Sequence, residues 1–416
     1  MNNSNYIFTK RTRNITFGLM AIGLISIIAG FLTDHVPDGV SPDDYHQTRV
    51  WANLLINSWF FMGIGLLATF FMAFQYAAEV AWSVSIKRVY EAVSSYLPVG
   101  AIIMFLMLLA GQLHLHHLYP WMDPNVYIKK LADGTPNPKY DEIIDGKGAF
   151  FTPWFFWLRT ILYLVVWNLF QRGFIKRSIE QDMQGGTAIH YKAIGKAAIF
   201  LVFFAVTSST SSWDWMMSID VHWCSTMYGW YSFAGNWISA MVTIMLMVVF
   251  LKRKGYLEQV NESHIHDIGK WMFAVSFLWS YLWFCQFLLI WYTNVPEEII
   301  YFQDRLHNYG YMGLMWTVFF MNFTFPMIML MSRDSKRNYF FLLFVGVIIL
   351  VGHWLDVFMM VMPGTIKGNW HLGWMELGIA LGFLGLILFV IHSTLAKRPL
   401  MVQQHPYLDE SMHHHV

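Results

Sequence analysis

The stretch Tyr339-Phe340-Phe341-Leu342-Leu343-Phe344-Val345-Gly346-Val347-Ile348-Ile349-Leu350-Val351-Gly352-His353-Trp354-Leu355-Asp356-Val357-Phe358-Met359-Met360-Val361 carries one imidazole and one carboxylate in twenty-three residues. About 20 apolar residues suffice for a helix to cross the hydrocarbon layer of a bilayer. A helix is the form such a run takes there, because lipid offers no partner for an open backbone N–H or C=O. Nine further stretches read the same way, at approximately 14–33, 51–78, 94–117, 150–171, 194–217, 228–251, 269–292, 308–331 and 374–396. The sequence therefore predicts an all-α integral membrane protein with ten transmembrane helices. Composition agrees: 56% of residues are hydrophobic and 13% charged, where a soluble domain holds roughly 25% charged residues. The first run follows Lys10, Arg11 and Arg13, but it exceeds the roughly 7–15 apolar residues of a signal peptide and reads as a retained helix.

Orientation follows from where Lys and Arg fall between the spans. With the N-terminus inside, the inner segments hold nineteen of them, from Lys10 to Arg398. The outer loops hold seven, Arg49, Lys129, Lys130, Lys139, Lys147, Arg305 and Lys367, and Arg159 lies within a span. Both termini of this multi-pass protein are thus expected on the inner, cytoplasmic side; the bacterial inner membrane is what the resemblance described below implies. The one long loop, 118–149, is outer, broken by Pro120, Pro136 and Pro138, and of the length that covers a site or docks a partner. The tail 397–416 is polar, and its His413, His414 and His415 read as solvated residues rather than a metal site. A net charge of +1 gives nucleic acid nothing to bind. Two cysteines, with no CxxC or CxxCH, predict no covalently bound redox centre.

Trp213-Asp214-Trp215-Met216-Met217 at the end of the fifth span is echoed by Trp354-Leu355-Asp356-Val357-Phe358-Met359-Met360 at the end of the ninth. The openings of the second and sixth, Trp59-Phe60-Phe61-Met62-Gly63 and Trp230-Tyr231-Ser232-Phe233-Ala234-Gly235, add to the echo. Spans four apart run in the same direction, so the pattern predicts a parallel repeat of two four-helix bundles, 51–217 and 218–361. These are flanked by a first helix and outer loop in 1–50 and a last helix and tail in 362–416.

Ionisable groups inside spans are costly and mark function by default. By helical rise, Asp214 is expected about 5 Å, Asp356 about 7 Å and Arg159 about 14 Å from the outer helix ends. His353 falls one turn below Asp356, His114 near the outer end of the third span, Gln286 in the seventh and Glu376 at the start of the tenth. Oxidising a quinol releases two protons, which a carboxylate or imidazole in an aromatic, Met-rich pocket would accept. Structural readings stand beside this one. Arg159 would serve equally as the buried partner of Asp214 or Asp356, and His353 as a packing histidine. The run from Thr207 to Ser212 suggests either hydroxyls bonded back to their own helix or a water track through Ser208 and Ser211 to Asp214. The connection 214–229, with Asp220, His222 and three tryptophans, suggests an interfacial helix with a proton-exit role open to Asp220 and His222. The histidines inside or near spans, His114, His117, His353 and His392, make no cross-helix ladder for a bound haem.

The segment 212–223, Ser-Trp-Asp-Trp-Met-Met-Ser-Ile-Asp-Val-His-Trp, together with Phe156-Trp157-Leu158-Arg159 running on to Ile161-Leu162-Tyr163, resembles the NrfD/polysulfide-reductase-type membrane subunits. The resemblance covers the whole chain and is strongest to the shorter of the two such subunits in bacterial alternative complex III. It implies a subunit of a respiratory quinol:cytochrome c oxidoreductase, with Asp214, Asp356, His353 and Arg159 in a proton or quinol path. It also implies menaquinol or another quinone as the small molecule, and haem and iron-sulfur clusters held by partners. Those partners would be an iron-sulfur subunit, a multihaem cytochrome c and a homologous NrfD-like membrane subunit. Two other readings stay open: a scaffold or proton channel with no quinol bound, and a proton-coupled secondary transporter.

Overall fold

The computed structural model describes residues 5–34 and 47–415; residues 35–46 of the expected loop after the first span lie outside them. Among the described residues, ten helices are long and apolar enough to cross a membrane: α1 Lys10–Thr33, α2 Thr48–Ala77, α3 Trp82–Gln112, α4 Pro153–Gln184, α5 Ala188–Trp215, α6 Met227–Arg253, α7 Glu262–Thr293, α8 Met312–Met329, α9 Tyr339–Thr365 and α10 Trp374–Leu395. Among the described residues there is no strand, only isolated bridges of Asn5 with Pro399 and Lys130 with Pro136. The chain is an all-α, multi-pass membrane protein. The Asn5–Pro399 bridge brings both ends of the chain together on one face, called here the terminal face; the 118–149 segment lies on the opposite, loop face.

Local chemistry sets the helix ends. Thr9 caps α1 by accepting from the Thr12 N–H at 3.3 Å, Asn338 accepts from the Phe340 N–H at 2.9 Å, and Pro153 starts α4 where no amide donor is needed. Gly185, at φ +67°, ends α4 in a conformation that favours glycine. α3 starts earlier than the apolar run suggests, because a tight turn and a short helix precede Leu97–Gln112, whose first turn accepts Pro98. It also stops at Gln112, so His114 stands beyond the helix, exposed, at φ +56°. α8 is interrupted by a π turn, Phe320–Thr324, ahead of Pro326.

The interior is organised around α2 and α6, in each of which the most apolar window is 89% buried. They meet at Gly63, where an added Cβ would lie 2.4 Å from Asn236 Oδ1, so a larger residue would have to push the Asn236 side chain aside. α9 joins them through Trp354 Nε1, which donates to Asn57 Oδ1 at 3.0 Å. α1 lies against α10 along small residues: a Cβ on Gly23 would stand 2.3 Å from Gly382 Cα, and one on Gly378 1.9 Å from Ser26 Oγ. Such a seam suits lipid, where close backbone packing takes the place of hydrophobic burial. The outward side chains remain apolar, with Leu32 77%, Val202 73% and Phe340 70% exposed, as surfaces solvated by lipid require.

The C-terminal segment is packed rather than solvated as its composition suggested. Its short helix Leu408–Met412 inserts Ser411, fully buried, between Ser85 at 2.8 Å and His264, whose Nε2 meets the Ser411 carbonyl at 3.0 Å. His414 meets Asp267 at 2.7 Å. Polar groups exposed at the terminal ends of α3, α4 and α7 are satisfied by this segment, which is why a polar sequence is held there.

Candidate functional site

Two carboxylates, one on α5 and one on α9, sit among donors from neighbouring helices. Asp214 is the penultimate residue of α5 and fully buried. Arg159 and Tyr163 lie four residues apart on α4 and so share a face turned towards it. Arg159 donates twice, Nη2 to Oδ1 at 2.7 Å and Nε to Oδ2 at 3.0 Å, and Tyr163 OH donates to Oδ2 at 3.1 Å. The guanidinium also donates to the Phe150 carbonyl at 3.1 Å and lies 3.9 Å and 4.3 Å from the Phe150 and Phe155 ring centres. This fork-to-fork pairing with aromatic faces around it is the geometry in which a buried charge is compensated. Arg159 is the partner of Asp214, not of Asp356.

Asp356 lies on α9, nine residues before its last residue, Thr365. That is about 14 Å along the axis, deeper than the 7 Å expected when the helix was taken to stop near Val361. Its Oδ1 accepts from Tyr231 OH of α6 and its Oδ2 from Trp279 Nε1 of α7 at 3.0 Å. His353, three residues away and therefore on the same face, has Nδ1 3.8 Å from Oδ2. Both ring nitrogens of His353 are buried without a hydrogen-bond partner. Gly235 presses its bare backbone against the group; an added Cβ would sit 3.4 Å from His353 Nδ1 and 3.6 Å from Asp356 Oδ2. Among the described residues, no Lys or Arg forms an ion pair with Asp356.

Beside Asp356 opens a cavity of about 450 Å³, whose lining includes Tyr231, Trp279, Gln286, Arg305 and Met359. Much of that volume is open to the surroundings; the space a water centre can occupy is only about 30 Å³, enough for two or three waters. Gln286, buried and with its Nε2 unpaired, lines this cavity and also a groove of about 990 Å³ on the far side, bordered by Trp213, Met217, Met227 and Leu289. Arg305, just before α8, points its charge elsewhere. It donates to Asp220 Oδ2 at 3.0 Å, to the Tyr301 carbonyl at 2.9 Å and to the Met359 carbonyl at 3.2 Å.

The connection between α5 and α6 is a single tight turn, Met217–Asp220, followed by irregular chain, instead of the interfacial helix its tryptophans suggested. Trp223 is buried and stacks on Tyr301 at 3.8 Å. Packing on the α7–α8 segment, and not an anchoring helix, holds it. His222 is exposed and meets Asp141 of the 118–149 segment at 2.5 Å. Burial would raise the Asp141 carboxyl, yet the Ile144 N–H and His222 hold it below its usual range.

Of the six hydroxyls leading to Asp214, four bond back to their own helix: Thr207 to the Phe203 carbonyl at 2.9 Å, Thr210 to Val206 at 3.2 Å, Ser211 to Ser208 at 3.1 Å and Ser212 to Ser209 at 2.7 Å. Ser208 is half-buried, and Ser209 packs against Gly229 of α6. Glu376 stands apart from both carboxylate sites. It caps α10 through the Gly373 N–H at 2.9 Å and binds Arg49 at 2.8 Å and Asn53 at 3.1 Å, both of α2. His114 stands on the loop face beside His117, at 6.2 Å between ring centres. The buried histidine of that region is His116, whose Nε2 meets the Met107 carbonyl at 3.1 Å; burial pushes its imidazole down to about 4.

No family model and no curated protein matches this sequence. The site therefore stands on its geometry. Tyr163, Tyr231, Trp279 and Arg305 complete it; in the sequence Tyr163 and Tyr231 stood out only within longer motifs and Arg305 only as an outer-loop charge, and none was expected at a site. A buried acid demands donors, but 20 Trp and 20 Tyr leave the choice among them to the packing.

Proposed function

We propose that the chain is a proton-carrying membrane subunit of a quinol-oxidising respiratory complex, and that Asp356 is its proton-exchanging group. The observation that carries this is the setting of Asp356: buried, held by neutral donors, next to a histidine with two unpaired ring nitrogens, and facing a water-sized cavity. A carboxylate locked to arginine cannot take up a proton without breaking an ion pair. Asp356 can, because the Tyr231 hydroxyl and the His353 ring can each donate or accept as the carboxyl changes form, while Trp279 Nε1–H only donates and keeps a carboxyl oxygen as its acceptor in both. The cavity admits water rather than a quinone ring, which favours proton passage over quinol oxidation at this spot. Gln286 favours the second reading: it separates the cavity from the apolar groove by α7, through which a quinol head could approach if that side chain turned aside.

On this proposal the membrane is a bacterial inner membrane with both termini cytoplasmic, as the Lys and Arg placement suggests. The electrons would pass to iron-sulfur and haem centres in partner subunits, with the homologous NrfD-like subunit alongside. The test replaces Asp356 by Asn in the intact complex and measures quinol:cytochrome c turnover beside proton release. We expect the rates of proton release on the loop face and of the turnover coupled to it to fall about a hundredfold, the lower end of a general acid–base effect, while each quinol oxidised still yields two protons for its two electrons. Unchanged release with unchanged turnover would remove Asp356 from both roles. Purification of the chain alone, with no haem or iron-sulfur absorbance accompanying it, would instead favour the transporter reading.

A further inference from the structure

The terminal face carries a second polar constellation that neither carboxylate site uses. Between the start of α3, α4 and the segment after α10 lies a recess of about 770 Å³, lined by Arg88, Glu91, Ser95, Gln171, Lys397 and Arg398 among others. Arg88 is 6% exposed, Glu91 3% and Gln171 2%. Arg88 pairs with Glu91 at 2.5 Å and with Asp182, and donates to Ser178 Oγ at 3.1 Å. Even so, three buried polar atoms of the lining have no partner: Arg88 Nε, Glu91 Oε1 and Gln171 Oε1. Buried polar groups are almost always satisfied. Three orphans around one recess call for an occupant that offers donors to Glu91 and Gln171.

Charge and shape narrow the occupant. Arg88, Lys397 and Arg398 outnumber the lining acid Glu91, and cations remain in excess when Asp182 is added. At Pro98 the recess meets a hollow of about 1080 Å³ between α3 and α4, lined by apolar residues such as Ile102, Phe105, Val165 and Leu169. Ile102 is 61% and Leu169 62% exposed, and Arg172 stands at the rim. A cationic, hydrogen-bonding recess continuous with an apolar groove on the membrane-facing surface fits an amphiphile with an anionic head.

We propose that this is a binding site for an anionic glycerophospholipid of the phosphatidylglycerol type. Its phosphate lies against Arg398 and Lys397, its glycerol hydroxyls reach the partnerless oxygens of Glu91 and Gln171 as those side chains turn towards the recess, and an acyl chain follows the α3–α4 groove. To test this, the full chain, with whatever subunits accompany it, is purified from a membrane containing phosphatidylglycerol and phosphatidylethanolamine, washed in mild detergent, and its retained lipid measured by mass spectrometry. Wild type should retain phosphatidylglycerol in preference to phosphatidylethanolamine. Arg398→Glu should lower that retention about tenfold, at roughly one charge interaction lost and one repulsion gained, and Arg398→Lys should restore it. Val165→Trp, at a membrane-facing position outside the polar recess, should block the groove and lower retention with the ion pairs intact. Equal retention of the two lipids, or retention unchanged in Arg398→Glu, would overturn the proposal. So would free glycerol phosphate holding as tightly as the lipid with Val165→Trp silent, since the site would then be one for a soluble anion.

Discussion

Asp214 and Asp356 began as echoes in sequence, and the molecule treats them oppositely. Asp214 is held at the end of its helix by a bidentate arginine and a tyrosine, with aromatic rings around the guanidinium. Asp356 lies deeper, among neutral donors, with an unpaired histidine and a cavity at its side. The arginine nearest the second site, Arg305, is drawn off to Asp220 and to backbone carbonyls. The difference teaches that an intramembrane acid is not functional by type. Compensation makes one a rivet, and its absence at the other is the ground of the proposed proton exchange.

The sharpest way to break this comparison is to remove a partner from each acid. Arg159→Met leaves Asp214 buried and unpaired and should destabilise the protein by about 3–5 kcal/mol, while the Arg159→Met/Asp214→Leu pair should recover most of that. Thermal unfolding in detergent measures both, and equal stability of single and double variants would remove the rivet role. Next in size is the acid effect of one imidazole on the Asp214 side. His116 is held near pH 4 against about 6.5 unfolded, so its contribution is complete above pH 6.5 and is lost as pH falls towards 4, because the unfolded chain binds the proton first. Its share of the acid loss should approach about 3 kcal/mol, so His116→Gln should narrow the difference between melting temperatures at pH 7 and 4.5 by that share, while the part due to His405, also pushed down by burial, persists. Tyr119, three residues on, donates to the Trp215 carbonyl at 2.8 Å beside Asp214, so the loosening should expose that side first by hydrogen exchange. Asp356→Asn should cost only about 1–2 kcal/mol, since one of Tyr231 and Trp279 loses its acceptor while no charge is stranded. A loss as large as that of Arg159→Met would erase the contrast between the acids. Smallest is His222→Ala, expected within about 0.5 kcal/mol and to shrink in salt, because its pair with Asp141 is exposed.

Much of the site's membership was readable in the residues, whereas its grouping was not. Asp214, Asp356, His353 and Arg159 stand out because ionisable groups are rare in apolar runs. Which acid Arg159 meets, and that Glu376 turns away to Arg49 and its own helix end, depends on helix rotation and register that apolar sequence encodes only weakly. Hydrophobic periodicity is blunted when both faces of a helix are apolar: the outward face meets lipid and the inward face meets other helices. The tail shows the opposite failure. Its polar composition suggested solvation, yet Ser411 and His414 are recruited to satisfy groups at the ends of α3 and α7 that local sequence cannot reveal.

By itself the sequence determined that the chain is helical and crosses a membrane, because backbone groups in lipid have no other way to be satisfied and ten runs are long enough to span. It also determined which side chains would be costly there. Tertiary structure alone decided which of those costs is cancelled. Pairing depends on angstrom-scale distances between helices far apart in the chain, and those distances are set by close contacts such as Gly63 on Asn236 and Gly23 on Gly382. A charge cannot be judged compensated or free until such packing has put its partner within reach or left it without one.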